Sequence, residues 1–114
     1  MLTRNQEIAA NVFQKVSTHK TRLKKDKEEY KSIAEKLPVL VQTAGLAEAL
    51  SFVEASEKSM QRQLLTDLCE TLSRPNLCNE SRNTQNLQDY LHLTRKVMLA
   101  LLWYKRFSKS VLDI

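Results

Sequence analysis

Three basic residues, Arg4, Lys15 and Arg22, are spaced eleven and seven apart. On one continuous helix each would project within about 20° of the last. With Lys20, Lys24 and Lys25 close by, that stripe has the chemistry to follow a phosphate backbone, because Lys and Arg displace condensed counterions without reading base sequence. Arg95, Lys96, Arg106 and Lys109 form a second basic group near the other end of the chain. The same charges also suit a solubilising face, and charge alone leaves both readings open.

Groups suited to bond-making chemistry are sparse. There is no Gly-rich phosphate loop, GxSxG or HExxH, and neither His19 nor His92 has a cysteine or carboxylate motif beside it. Both histidines are expected on solvated helix surfaces. Asp67 with Glu70 and Glu54 with Glu57 stand three apart, a spacing that could hold a divalent ion but that solvated helix faces also produce, and Glu54 has Lys58 at i+4. Cys69 and Cys78 are nine apart with no CxxC, so neither a disulfide framework nor a zinc site is suggested; reduced thiols point to a cytoplasmic chain. The residues predict no enzyme, no metal and no cofactor. Trp103 beside Arg106 could stack on a base, but a Trp on an apolar helix more commonly serves a core or a protein interface.

The elements that would position these groups are helical throughout. Thr3 and Gln6 have capping-box spacing, and Ile8, Ala9, Val12, Phe13 and Val16 follow on one face. If that helix reaches Arg22, the basic stripe is complete. After a turn, Asp26 with Glu29 is expected to cap a second helix, whose apolar positions Tyr30, Ile33, Ala34, Leu37, Leu40, Val41 and Ala44 keep register through Pro38. Pro38 is therefore expected to kink or restart the helix rather than open a loop. Gly45, the only glycine, falls where this pattern ends and Leu46, Ala49, Leu50 and Val53 begin another, and is read as a helix stop at positive φ. Met60, Leu64, Leu65, Leu68 and Leu72 stripe a further helix ending near Pro75. The stretch from Ser73 to Asn86, rich in Asn, Ser and Arg, reads as the one long loop. A last helix from about Leu87 to at least Phe107 carries the core stripe Leu93, Val97, Ala100, Leu101 and Tyr104 and is apolar on nearly every side between Val97 and Tyr104. Such a helix must be central or lend a face to another subunit. No strand alternation occurs, so the fold class is all-α: one domain over residues 1–114, a helical bundle of about five or six helices without a sheet.

Charge is unevenly spread along these elements. Residues 1–36 carry nine Lys/Arg against five Asp/Glu, residues 37–94 four against seven, and residues 95–114 five against one. Two basic ends flank an acidic middle, which favours a polyanionic partner. The N-terminal residues lack a signal-peptide pattern, and the longest apolar run is far too short to span a bilayer, so a chain neither exported nor integral to a membrane is expected.

Two segments together resemble a known family. YKSIAEKLPVLVQTAGLAEALSFVEAS (Tyr30 to Ser56) and YLHLTRKVMLALLWYKRFSKSVL (Tyr90 to Leu112) are similar to the small helical subunit of type III-B CRISPR effector (Cmr) complexes. Leu-Pro, Gly-Leu, an Ala/Leu run to Phe, and a Tyr-started helix ending Trp-x-Lys-Arg-Phe cover about half the chain; Ala44 departs from the polar residue the family often places before the Gly. The resemblance implies a non-catalytic scaffold subunit in antiviral defence, partnered by the other subunits of the complex and by guide and target RNA. It also implies self-association in a head-to-tail stack, a minor filament. On that reading Arg4, Lys15, Lys20, Arg22, Lys24, Lys25, Arg95, Lys96, Arg106 and Lys109 contact the RNA backbone. Leu99, Leu102 and Trp103 form part of the protein interface, and Pro38 and Gly45 are structural. The alternatives are the small subunit of a type III-A complex and a helical adaptor that binds only protein; a segment lying on a membrane is disfavoured because the first helix has a modest apolar face and no Trp anchor.

Overall fold

The computed structural model describes residues 1–114 and contains six helices and no strand: α1 (Arg4–Ser17), α2 (Lys24–Ala44), α3 (Leu46–Glu54), α4 (Ser59–Thr71), α5 (Leu77–Asn83) and α6 (Leu87–Val111). Most of the expected core stripe positions are buried in a single cluster of 24 apolar side chains, but Phe13 and Ala44, expected on the core faces of α1 and α2, are exposed. α6 packs against α1 on one side and α2 on the other, α4 closes the bundle beneath them, and α3 and α5 cover one edge. The apolar character of α6 thus reflects its central place, although Leu102 stays half-exposed.

Helix directions follow from side-chain contacts. The Tyr90 hydroxyl, near the start of α6, accepts a hydrogen bond from the Ala47 N–H just beyond the end of α2. Tyr30, near the start of α2, and Tyr104, toward the end of α6, bond to Asp67 and Thr71, one turn apart on α4. α2 and α6 are therefore antiparallel. α1 runs the same way as α6, with Asn5 bonded to Trp103 and Phe13 edge-on to Phe107. The end of α1, the start of α2 and the end of α6 consequently lie at one end of the bundle.

Local signals account for most helix ends. Thr3 and Gln6 make the reciprocal capping box on α1, and Asn86 accepts from the Asp89 N–H at the start of α6. α2 continues through Pro38 without interruption. Gly45 is the sole residue between α2 and α3; its N–H bonds to the Val41 carbonyl and its carbonyl receives the Ala49 N–H. Its φ of 92° with ψ of 160° is a region open essentially to glycine alone, so one residue ends one helix and begins the next. The conformation differs from the left-handed helical cap expected, but the demand for glycine is the same.

Three expectations are corrected. α1 stops at Ser17, five residues before Arg22, so Arg4, Lys15 and Arg22 do not form one stripe. α2 begins at Lys24 after Leu23, with no side-chain cap; Asp26 sits inside the first turn instead of before it. The stretch 73–86 contains α5. That helix is anchored by the fully buried Leu77 and by two ion pairs, Arg74–Glu80 at 2.9 Å and Arg82 to Glu54 of α3 at 2.8 Å.

α4 ends in a left-handed residue that is not glycine. Ser73 has φ 54°; its N–H bonds to Glu70 and the Arg74 N–H reaches back to Cys69, the paired bonds of a Schellman motif. Two substitutions should therefore act with opposite sign. Gly45→Ala should destabilise by about 1–3 kcal/mol, because the cost is in the backbone and not in crowding. Ser73→Gly should stabilise by about 0.5–1 kcal/mol. Urea unfolding of the two variants checks both, and a neutral Gly45→Ala would contradict the assigned backbone.

Candidate nucleic-acid interface

The charged residues singled out above separate into distinct groups once folded. Lys20, Arg22, Lys24 and Lys25 are all exposed and lie within six residues at the α1–α2 turn. Lys109, in the last turn of α6, is exposed at the same end of the bundle. Lys24 has only a loose i,i+4 pairing with Glu28 at 3.9 Å, and no ion pair engages Lys20, Lys25 or Lys109. Lys24 and Lys25 in the first turn of α2 oppose its dipole, the helix has no side-chain cap, and Asp26 is the one acidic residue of that turn, so the turn keeps a net positive charge.

The remaining basic residues lie elsewhere. Lys15 is engaged by Glu70 of α4. Arg4 is exposed at the start of α1, beside Thr71 and Ser73 around a shallow hollow. Arg95 and Lys96 sit on the first half of α6, about 20 Å along the helix from Lys109 at 1.5 Å per residue. Arg106 lies over the Trp103 ring at 5.3 Å. The structure thus places the turn residues and Lys109 at one end of the bundle, and Arg4, Arg95 and Lys96 elsewhere.

Leu99, Leu102 and Trp103 converge with Asn5 and Arg106 around a concavity of about 210 Å³. Trp103 is half-buried there: its indole N–H donates to Asn5 at 3.0 Å and its ring stacks on Phe107 at 5.3 Å. The indole is thereby engaged within the chain on one side, while Leu102 faces outward.

The most connected polar group in the protein was invisible as such in the sequence. His19, expected on a solvated surface, is 3% exposed, and Asp67, expected as half of a surface carboxylate pair, is 4% exposed. One Asp67 carboxylate oxygen accepts from Tyr30 at 2.7 Å and from His19 Nε2 at 2.9 Å; the other accepts from Gln63 at 2.8 Å. On the far side of the imidazole, Arg22 Nε donates to His19 Nδ1 at 2.8 Å. Because a guanidinium only donates, Nδ1 must be the acceptor and Nε2 must carry the proton that Asp67 receives. A chain of bonds therefore runs from the exposed turn to a buried carboxylate. The only advance signal was position: Asp67 falls between Leu64 and Leu68 on the stripe that faces the core.

Burial and the Asp67 charge hold the Tyr30 hydroxyl well above its ordinary range, and burial does the same for Tyr104. Cys69 and Cys78 line a cavity of about 690 Å³ between α4 and α5; burial, then the nearby Glu54, pushes the Cys78 thiol up to about 11. These thiols are consequently poor nucleophiles near neutral pH.

Residues 4–111 match the family described as CRISPR-associated protein (Cas_Cmr5). A curated relative, the "CRISPR system Cmr subunit Cmr5" of Thermus thermophilus, is 36% identical over 115 residues, covering 99% of each chain. The crystal structure of a CRISPR-associated Cmr5 family protein from Thermus thermophilus superposes with a TM-score of 0.92, over 99% of this chain and 100% of that one.

Asp67→Ala leaves three donors without an acceptor and should destabilise the fold by about 3 kcal/mol, read by urea unfolding. Alkaline titration followed by the phenolate absorbance tests the tyrosines. Below about pH 10 both native and unfolded chains keep the phenol protons. Above it the unfolded chain releases them and native Tyr30 and Tyr104 do not, so stability falls as pH rises and the two phenolates appear together with unfolding. Their ionisation in a chain that remains folded would contradict the burial described.

Proposed function

The chain belongs to the CRISPR-associated Cmr5 family, and on that premise we propose that it is the small, non-catalytic subunit of a type III-B RNA-guided effector complex and contacts the backbone of guide or target RNA. The observation that carries the RNA contact is the cluster of exposed cations at the α1–α2 turn, Lys20, Arg22, Lys24 and Lys25, joined by Lys109 at the same end of the bundle. Lys24 and Lys25, in the first turn of an α2 that has no side-chain cap, cost the free protein some stability, and a phosphate would offset that cost. The contact is electrostatic and independent of base sequence. Arg4, Arg95, Lys96 and Arg106 extend the basic surface but lie apart from the cluster; Lys15, held by Glu70, contributes least. Guide–target pairing reads the sequence, and this subunit supports its shape.

Self-association is the second part of the proposal. The half-exposed Leu102, with Leu99 and the rim of Trp103, offers one apolar face, and Val39 and Phe52 on α2 and α3 expose another. Different surfaces meeting head to tail build a filament instead of a closed ring. The family membership favours the type III-B assignment over a type III-A small subunit.

A tagged pull-down from the native host, with mass spectrometry of partners and sequencing of retained RNA, tests the whole. A ribonucleoprotein containing CRISPR-repeat-derived RNA is expected; protein partners alone at low salt would make the chain a helical adaptor. For the contact itself, replacing Lys20 and Lys25 by Ala should flatten log K against log salt by about 1.4 on single-stranded RNA. An unaltered slope would remove those two residues from the interface.

A further inference from the structure

Resting on the reading that the α1–α2 turn meets RNA phosphates, we propose that His19 is a positioning residue that holds the Arg22 guanidinium as a fixed fork for a phosphodiester, with Asp67 locking the imidazole from behind. Four cations occupy this turn, and three are lysines whose ammonium groups swing on flexible stems. Arg22 alone is held by the interior. Its Nε is bonded to His19 at 2.8 Å, while its two terminal amino groups make no hydrogen bond within the protein and the residue is exposed. A guanidinium anchored through Nε keeps its outer edge free, and that planar edge matches two phosphate oxygens.

The support behind it is rigid. The His19 ring is buried, donates through Nε2 to Asp67 at 2.9 Å, and lies against the Tyr30 ring with centroids 4.6 Å apart. Asp67 is fixed in turn by Tyr30 and Gln63, so neither oxygen is free to release the imidazole. An arginine ordered before its ligand arrives escapes the entropy loss that a free lysine incurs on binding. A role confined to donating a hydrogen bond to the buried carboxylate would change stability on mutation but leave RNA affinity to the charge count.

The full-length protein, labelled with nitrogen-15, is titrated with a twelve-residue oligouridylate at low salt. Free protein should show a slowly exchanging Arg22 Nε–H resonance that moves on adding RNA. His19→Leu, which keeps every cation, should weaken binding about five- to tenfold, as Arg22→Ala does. Arg22→Ala should also flatten the salt dependence by about 0.7, whereas His19→Leu should not. His19→Gln, whose carboxamide can accept from Arg22 and donate to Asp67, should restore affinity to within about twofold. Wild-type affinity in His19→Leu, alongside weakened Arg22→Ala or Lys25→Ala, would overturn the positioning role and leave the RNA contact standing. If RNA moves no resonance in the wild-type protein, the RNA reading fails and the positioning role fails with it. Should His19→Leu not fold, Arg22→Lys takes its place: it retains the charge and loses the Nε bond, so wild-type affinity there would equally overturn the proposal.

Discussion

A carboxylate removed from water must find its donors inside the protein, and at Asp67 that requirement ties together separate parts of the chain. Tyr30 comes from α2, His19 from the α1–α2 turn and Gln63 from the preceding turn of α4. None of the three could shift without leaving a buried polar group unsatisfied, which costs more than any one of the bonds contributes. The turn, otherwise rich in charge and poor in apolar anchors, is fixed by this one side chain. The same geometry puts Lys20, Lys24 and Lys25 outward around Arg22, so the interior arrangement decides where the basic surface is presented.

A second set of contacts aligns α1 with α6. Phe13, Phe107, Trp103 and Arg106 form a continuous stack, edge-on at the first junction and face-on at the next, and Asn5 closes it through the indole N–H. Trp103 is amphipathic in this use: it covers apolar surface while its polar atom is satisfied locally. What remains for another molecule is the rim of the stack and Leu102.

The legible parts of the sequence were those where one rule acted alone. The core stripes of α2, α4 and α6 follow the 3.6-residue period, the capping box at Thr3 is local, and the lone Gly45 is demanded by its own backbone. The unread parts are where tertiary structure overrides a local signal. Nothing near Ser17 announces that α1 ends there, because His19 bonds to a residue 48 positions away. The polar stretch 73–86 has loop composition, yet one buried leucine, an ion pair to α3 and another to Arg74 in the preceding connection suffice for two turns of α5. Within the basic surface, composition supplied the residues but not their grouping: Arg22 belongs to a turn and not a stripe, and the partner that holds it is a histidine assigned to solvent.

The single-residue joint at Gly45 also bears on how the chain could be cut. A protease needs several residues of extended, accessible backbone, and between Lys24 and Glu54 the chain offers none: α2 passes into α3 through one residue whose N–H and carbonyl are both bonded. Susceptible backbone is confined to short connections such as those around residues 18–23 and 55–58. The first of these is the basic turn, so a trypsin-like enzyme and a polyanion would compete for Lys20 and Arg22.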